Sequence, residues 1–176
     1  RAYVLKQCYD SLCRQTCKDF VWLIVDDGSS DNTKEIVEKW MANDNGFEIR
    51  YVYKKNGGMH TGHNKAYELI DTELNVCIDS DDFMPDDAVE LIVNFWEENK
   101  DSNYSGIIAL DVYKNGQVIG KELPNKKSTT LSGYYQNGGQ GDKKLIYRTE
   151  IINKYPPYPE FEGEKFVPLD YKYLLA

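Results

Sequence analysis

Asp79, Asp81 and Asp82 stand within four positions of one another, in Asn75-Val76-Cys77-Ile78-Asp79-Ser80-Asp81-Asp82-Phe83-Met84-Pro85. An apolar run of strand type ends in these carboxylates, and Pro85 then stops the pattern. Like charges at a strand end repel one another unless something positive sits there. A hard divalent cation that takes carboxylate oxygens as ligands resolves the conflict. The plain alternative is a solvated acidic turn followed by a capped helix. Two more stretches hold polar residues in similar concentration: Asp26-Asp27-Gly28-Ser29-Ser30-Asp31-Asn32-Thr33 and Lys54-Lys55-Asn56-Gly57-Gly58-Met59-His60-Thr61-Gly62-His63-Asn64-Lys65. Glycines in the second let backbone approach a ligand closely. His60 and His63 are weak metal candidates, because a hard ion prefers oxygen.

The elements that must carry these stretches follow from periodicity. Val4, Leu5, Cys8, Leu12 and Cys13 recur at helical spacing. Phe20–Val25 is a continuous apolar run, suited to a strand buried on both faces. Asp31 or Asn32 then caps a helix with Ile36, Val37, Trp40 and Met41 on its apolar face. A strand over Ile49–Tyr53, a helix bearing Ala66, Leu69 and Ile70, the strand Val76–Ile78 and a helix from Asp86 complete an alternating pattern. Such alternation predicts parallel strands with right-handed crossovers and a ligand site at the carboxyl ends of the strands. All three polar stretches fall at predicted strand ends.

Past residue 100 the pattern changes. Ile107–Tyr113 reads as a strand, Asn115-Gly116 as a turn, and Gln117–Ile119 as the hairpin return. Residues 121–143 are polar and Gly-rich, Leu145–Arg148 is a short strand, and Glu150–Asn153 a short helix. Tyr155-Pro156-Pro157-Tyr158-Pro159 excludes regular structure. A terminal helix starts near Pro168.

The composition belongs to one globular domain, 41% hydrophobic and 28% charged. A net charge of -8 argues against a nucleic-acid partner. It leaves room for a phosphorylated small ligand, since one metal ion reverses the local potential. No run approaches the ~20 apolar residues of a membrane span, and no signal peptide is visible. Cys8, Cys13, Cys17 and Cys77 include no CxxC pair and read as free thiols, which fits a reducing cytoplasm. Both ends look cut within helical patterns. The expectation is one domain over 1–176, in two halves over 1–100 and 101–176.

Val25-Asp26-Asp27-Gly28-Ser29-Ser30-Asp31-Asn32-Thr33, the loop from Asn56-Gly57-Gly58 to Asn64, and Asp79-Ser80-Asp81-Asp82 resemble, in this order and at these intervals, family 2 glycosyltransferases of the GT-A fold. The likeness is strong from Tyr3 to Pro85, and the tail from Tyr155 resembles members that build bacterial surface polysaccharides. It implies an α/β fold, mainly a parallel Rossmann-like sheet flanked by helices, with a smaller antiparallel part in the second half, and makes 1–100 the nucleotide-sugar-binding half and 101–176 the acceptor-binding half. It also implies an inverting, metal-dependent transfer from a nucleotide-diphosphate sugar, by default a UDP-sugar, to a hydroxyl of a glycan or lipid-linked glycan. The enzyme would be cytoplasmic, at most peripheral on the inner face of the membrane.

The resemblance also distributes roles. Asp81 is the expected ligand of Mn2+ or Mg2+, Asp79 lies near the donor and the metal, and Asp82 assists or caps the next helix. Asp27 matches the nucleobase-reading position. Gly57, Gly58, His60 and Asn64 match the donor loop, with Lys65 a candidate for phosphate. Asp170 is the first choice for the base and Glu164, in Glu162-Gly163-Glu164-Lys165, the second. Leu169 replaces the Glu of the family's usual Glu-Asp pair. The family's opening strand has no counterpart before Tyr3, so this stretch alone is expected to bind donor poorly. A nucleotidyltransferase-type metal enzyme and a degenerate GT-A carbohydrate-binding or interaction domain are the alternatives. Neither GxxxxGK[ST] nor GxGxxG occurs, which removes a P-loop or dinucleotide site.

Overall fold

The computed structural model describes residues 1–175. In chain order the elements are α1 (Ala2–Cys13), β1 (Val21–Asp27), α2 (Thr33–Met41), β2 (Glu48–Lys54), α3 (Met59–Leu69) and β3 (Leu74–Val76). There follow α4 (Ala88–Asn99), β4 (Gly106–Leu110), α5 (Leu131–Gln136), β5 (Lys143–Arg148), α6 (Thr149–Ile152) and α7 (Asp170–Tyr173). Among the described residues no helix is long and apolar enough to cross a membrane.

The chain forms two compact units. The first holds Arg1–Leu69, Ile78–Asn103 and Glu160–Phe166. The second holds Ile70–Cys77, Tyr104–Pro159 and the chain from Val167 onward.

In the first unit β1 and β2 run parallel, in register from Val21 opposite Glu48 to Asp27 opposite Lys54. The apolar face of α1 supplies Leu5, Cys8 and Leu12, all buried. Leu5 joins Val37 of α2 and Ile49 of β2 in one cluster, while Cys8 and Leu12 meet Met84 and Val89 in another. Three rings bind α1, β1 and α2 together: Tyr9 stacks on Trp40 at 4.2 Å, and Trp22 lies 5.9 Å from Trp40. Such pairs add roughly 0.5–1.5 kcal/mol each beyond the area they bury.

The second unit is built on an antiparallel sheet of order β3-β5-β4. Here β3 departs from the expected parallel arrangement. It is three residues long, it pairs with β5 through Leu74 opposite Arg148, and it ends before Ile78. An apolar run records burial but not strand direction, and the partner that sets the direction lies about seventy residues downstream. The predicted hairpin is present in a narrow form. Val112 bridges Val118, and Gly116 takes a positive φ of 82° in the turn. The polar stretch read as loop contains the short helix α5, whose Thr130 cap accepts from Gly133 N–H. Lys143 is buried, and its ammonium donates to the carbonyls of Ile119, Gln140 and Asp142 at 2.9–3.0 Å.

Candidate active site

The acidic turn is held by polar residues on α1 and just past its end. Gln7 and Ser11, four positions apart, share one helix face, and Gln15 follows beyond the C-cap Arg14. Gln7 Nε2 donates to the Asp81 carbonyl at 2.9 Å. Ser11 Oγ accepts from Met84 N–H at 3.1 Å. Gln15 donates to the Pro85 carbonyl at 2.6 Å and accepts from Val89 N–H at 3.0 Å. The bonds to Met84 N–H and Val89 N–H are buried, so leaving either unmade is costly. The turn itself closes through Asp82 N–H to the Asp79 carbonyl at 2.9 Å. With the backbone fixed this way, Asp79, Asp81 and Asp82 all project as exposed side chains.

Among the described residues no three His, Cys, Asp or Glu side chains form a ready-made metal cage. The donor set still suits Mn2+ or Mg2+. Magnesium in particular is usually held by one or two carboxylates plus water and substrate phosphate, without an all-protein cage. Arg1 Nη1 touches Asp81 Oδ2 at 3.1 Å, but both side chains are more than half exposed. An exposed pair contributes only ~0–1 kcal/mol, so it does not commit Asp81.

Asp27 ends β1, and its carboxylate is held on all four acceptor positions. Oδ1 accepts from Lys54 Nζ at 2.5 Å and from Gly57 N–H at 2.9 Å. Oδ2 accepts from Gly58 N–H at 2.8 Å and from Asn56 Nδ2 at 3.1 Å. Lys54 also donates to Thr61 Oγ1 at 2.6 Å, tying the loop to the first turn of α3. Two glycines make this approach possible. A Cβ on Gly28 would lie 2.7 Å from Asn56 N, and one on Gly58 would lie 2.1 Å from the Lys165 carbonyl oxygen. Both take a positive φ, 83° and 95°.

Asp26, one residue earlier, has a separate role. It is buried, its Oδ1 accepts from Ser29 N–H at 2.7 Å, and its Oδ2 accepts from Tyr51 OH at 2.6 Å. Burial acts to raise its pKa, but the Tyr51 and Ser29 hydrogen bonds outweigh burial and hold the carboxyl below its ordinary range. Burial first, then the Asp26 bond and charge, push the Tyr51 phenol upward. Asp26 therefore locks β1 to β2 and starts the turn.

The loop after β2 and the segment 160–165 enclose a cavity of about 200 Å³, lined in part by Asn56, Gly57, His60, Glu160, Glu164 and Lys165. Lys165 Nζ donates to Asn56 Oδ1 at 2.7 Å, and Asn64 Nδ2 donates to Glu160 Oε1 at 3.1 Å. Glu164 Oε1 accepts from the N–H groups of Lys165 and Phe166, both at 2.8 Å. His60 is 1% exposed, and its Nδ1 has no hydrogen-bond partner.

So the structure gathers Asp27, Gly57, Gly58, His60, Asn64 and Glu164 in the first unit, together with the turn of Asp79, Asp81 and Asp82. Lys65 lies on α3 with its ammonium on Glu68 at 2.8 Å. Asp170 opens α7 in the second unit, preceded by Leu169, whose carbonyl accepts from Tyr158 OH at 2.8 Å. Sequence reasoning missed Lys54, Thr61, Glu160 and the three residues Gln7, Ser11 and Gln15. Lys54 had a signal, since it ends β2 as Asp27 ends β1. Glu160 had none, being 96 positions from its partner Asn64.

The glycosyl transferase family 2 model matches residues 1–155. The chain is 30% identical over 164 residues to glycosyltransferase GlyG of Streptococcus pneumoniae, a match covering 93% of this chain and 49% of that protein. It thus spans about half the length of that relative. The structure of S. aureus TarS 1-349 in complex with UDP-GlcNAc matches with a TM-score of 0.67 at 23% identity, over 86% of this chain and 43% of that one. The mannosyltransferase PcManGT from Pyrobaculum calidifontis, in complex with GDP-Man and Mn2+, matches with a TM-score of 0.63 at 15% identity, over 90% of this chain and 44% of that one. These likenesses establish the mixed α/β GT-A fold expected from the motifs. With its parallel pair, its acidic turn and its glycine loop in the family's order, the chain belongs to glycosyl transferase family 2.

Proposed function

We propose that this chain carries the donor-handling centre of a glycosyltransferase that moves a sugar from a nucleotide-diphosphate sugar, with UDP as the default nucleotide, to a hydroxyl of a growing glycan. The observation that carries this reading is the fourfold clamp on Asp27. It ties the strand-end motif to the Asn56-Gly57-Gly58 loop, so two of the three family signatures act as one construction. The UDP-GlcNAc complex of the TarS neighbour supports the donor class.

In this reading Asp27 faces the nucleobase. A contact there replaces its longest bond, the 3.1 Å one from Asn56, because an ionised carboxylate accepts equally from a base N–H. Asp81 and Asp79 hold a divalent ion, with Asp82 beside them. The ion's chemistry would be to offset the negative charge that develops on the pyrophosphate leaving group. The Mn2+ complex of the PcManGT neighbour supports that assignment.

Inversion requires a base on the far side of the reacting sugar from the leaving group. Glu164 is favoured, because it lines the same cavity as Asn56, Gly57 and His60. Asp170 is the second choice. The four cysteines, none joined in a disulfide among the described residues, fit a cytoplasmic setting, with the acceptor presented on a glycan or lipid-linked glycan.

The test is transfer and donor hydrolysis by the protein with a panel of UDP-sugars, with Mn2+ or Mg2+ and then with EDTA. Asp81→Ala should lower the metal-dependent rate by about 10²–10³-fold, the scale of removing one electrostatic contact to developing charge. Its folding should not change, because the side chain is exposed. Glu164→Gln should lower kcat by about 10²–10⁴-fold, and Asp170→Asn far less. An unchanged rate in Asp81→Ala would remove the metal assignment, and the reverse ranking of the last two would restore Asp170 as the base.

A further inference from the structure

We propose that the lobe formed by residues 113–135 is a docking surface for an anionic lipid bilayer. The inference goes beyond the transferase reading and does not depend on it, since none of these residues belongs to the candidate site. All of them lie in the second compact unit.

Charge comes first. Between Tyr113 and Lys127 stand four lysines, Lys114, Lys121, Lys126 and Lys127, against one carboxylate, Glu122. The stretch thus carries a local charge of +3 in a chain whose net charge is -8. On the helices, surface lysines stand beside carboxylates one turn away, Lys6 with Asp10, Lys34 with Glu38 and Lys65 with Glu68. Among the described residues Lys126 and Lys127 have no such carboxylate. Lys121 places its ammonium on the Gly138 carbonyl at 3.0 Å, which leaves its charge unneutralised.

The lysines are interleaved with apolar side chains that reach solvent. Tyr113, Leu123 and Tyr135 are 55%, 38% and 45% exposed. Lysine and tyrosine together suit a membrane interface. The ammonium meets lipid phosphate, and the amphipathic tyrosine ring sits at headgroup depth. Leu123 adds an apolar side chain for the boundary with the acyl chains.

The lobe is built to project these groups. Val112 bridges Val118 and Tyr113 N–H donates to the Gln117 carbonyl, so Lys114 stands at a hairpin tip. Beneath the hairpin, buried Lys143 gathers the carbonyls of Ile119 and Gln140. Gly120 lies so close to Gln140 that a Cβ would sit 2.1 Å from its carbonyl oxygen. Tyr134 of α5 is 2% exposed, with the Lys143 ammonium 5.8 Å from its ring centroid. Buried contacts therefore pin both ends of the arm from Lys121 to Gly133, while every residue from 121 to 130 is exposed.

The choice of partner follows from the range of the forces. A net charge of -8 opposes any polyanion at a distance, but salt screens charges beyond about 8–10 Å. Only a partner met at contact by the lobe itself gains from its lysines. A bilayer presents a plane of anionic headgroups to such a projection and an apolar layer to Tyr113 and Leu123. Nucleic acid presents the charge without that layer.

Co-sedimentation of the protein with unilamellar vesicles tests the proposal. Vesicles of phosphatidylcholine alone are compared with vesicles in which part of it is replaced by phosphatidylglycerol. Binding should be about tenfold or more tighter to the anionic vesicles at low salt, and should fall as salt rises. Lys126→Gln combined with Lys127→Gln should weaken it roughly thirtyfold, the equivalent of ~1 kcal/mol for each basic residue near an anionic surface. Leu123→Ser should weaken binding by a smaller factor and leave its salt dependence unchanged. Thermal unfolding of these variants should match wild type, because the three positions are exposed. Transfer from a UDP-sugar to a soluble acceptor should be the same in the double variant as in wild type, so loss of docking and loss of activity are read separately. Equal binding to both vesicle types, no binding to either, or unchanged binding by the double variant would overturn the proposal. Inorganic polyphosphate bound in preference to the vesicles would overturn it in favour of another polyanion, such as an acidic protein.

Discussion

The Asp27 carboxylate and the Lys54 ammonium meet at 2.5 Å, at the matched ends of two parallel strands. Both side chains are about four-fifths covered, 23% and 21% exposed. The pair thus lies between an exposed ion pair, worth ~0–1 kcal/mol, and a fully buried one, whose breaking costs ~3–5 kcal/mol. Lys54→Met should destabilise the chain by about 1–3 kcal/mol in urea unfolding. It should also loosen the Gly57-Gly58 loop, visible as faster amide exchange at those two residues. A double-mutant cycle with Asp27→Asn should show strong non-additivity, because the two residues belong to one network. Additive losses would mean that the pair is incidental.

Gln15, just past the end of α1, shows how a residue remote in sequence sets the acidic turn. Its amide satisfies the Pro85 carbonyl and Val89 N–H, both at the entry to α4. Gln15→Leu keeps the bulk but orphans the buried Val89 N–H, while the Pro85 carbonyl keeps its bond from Ala88 N–H. At roughly 1–3 kcal/mol for a buried group left unsatisfied, the loss should be about 1–3 kcal/mol. Thermal unfolding measures it. A loss below 0.5 kcal/mol would show that water replaces the side chain.

Gly58 and Gly116 separate two kinds of glycine requirement. Both have positive φ, 95° and 82°, but only Gly58 faces an obstructing backbone atom. Gly116→Ala should cost about 1–2 kcal/mol, the left-handed penalty alone. Gly58→Ala should cost more, and should also release the 160–166 segment to limited proteolysis. Equal costs with no new cleavage would mean that the segment does not rest on the loop as described.

The Asp26–Tyr51 bond makes stability depend on pH at both ends. Hydrogen bonds from Tyr51 and Ser29 overcome burial and lower the folded-state pKa of Asp26. Its stabilising contribution is therefore present above the unfolded value near 3.8 and is lost as pH falls through the lower folded value. Tyr51 is raised from 10.0, so its contribution is full below about pH 10 and fades as pH climbs beyond it. Tyr51→Phe removes the lowering bond while the burial of Asp26 remains, so the loss between pH 5 and 2 should flatten or reverse. Urea midpoints of the variant and wild type across pH 2–11 check both limbs. Parallel curves would mean that the bond does not form in solution.

The order of motifs was legible in the sequence because each is local. The run from Phe20 to Asp27 reads as a strand followed by a turn. The Gly57-Gly58 pair reads as a tight loop, and Asp79-Ser80-Asp81-Asp82 as an acidic turn. The helices α1 to α4 follow from apolar spacing alone, and a family resemblance sufficed to name the fold. Local pattern, turn chemistry and charge spacing are written along the chain, and they survive without knowledge of what packs against them.

Tertiary structure alone decided which residues meet. β3 joined β5 antiparallel, and the sequence could not show it, because the partner is remote and an apolar run carries no direction. Asp27 became a clamp for the glycine loop only when parallel register set Lys54 beside it. Gln7, Ser11 and Gln15 found their partners only when folding brought the backbone of residues 81–89 to them. Glu160 reached Asn64 across 96 positions. Hydrogen bonds of this kind are set by distance in space and by the exclusion of water, and neither quantity is recorded in the spacing of residues along a chain.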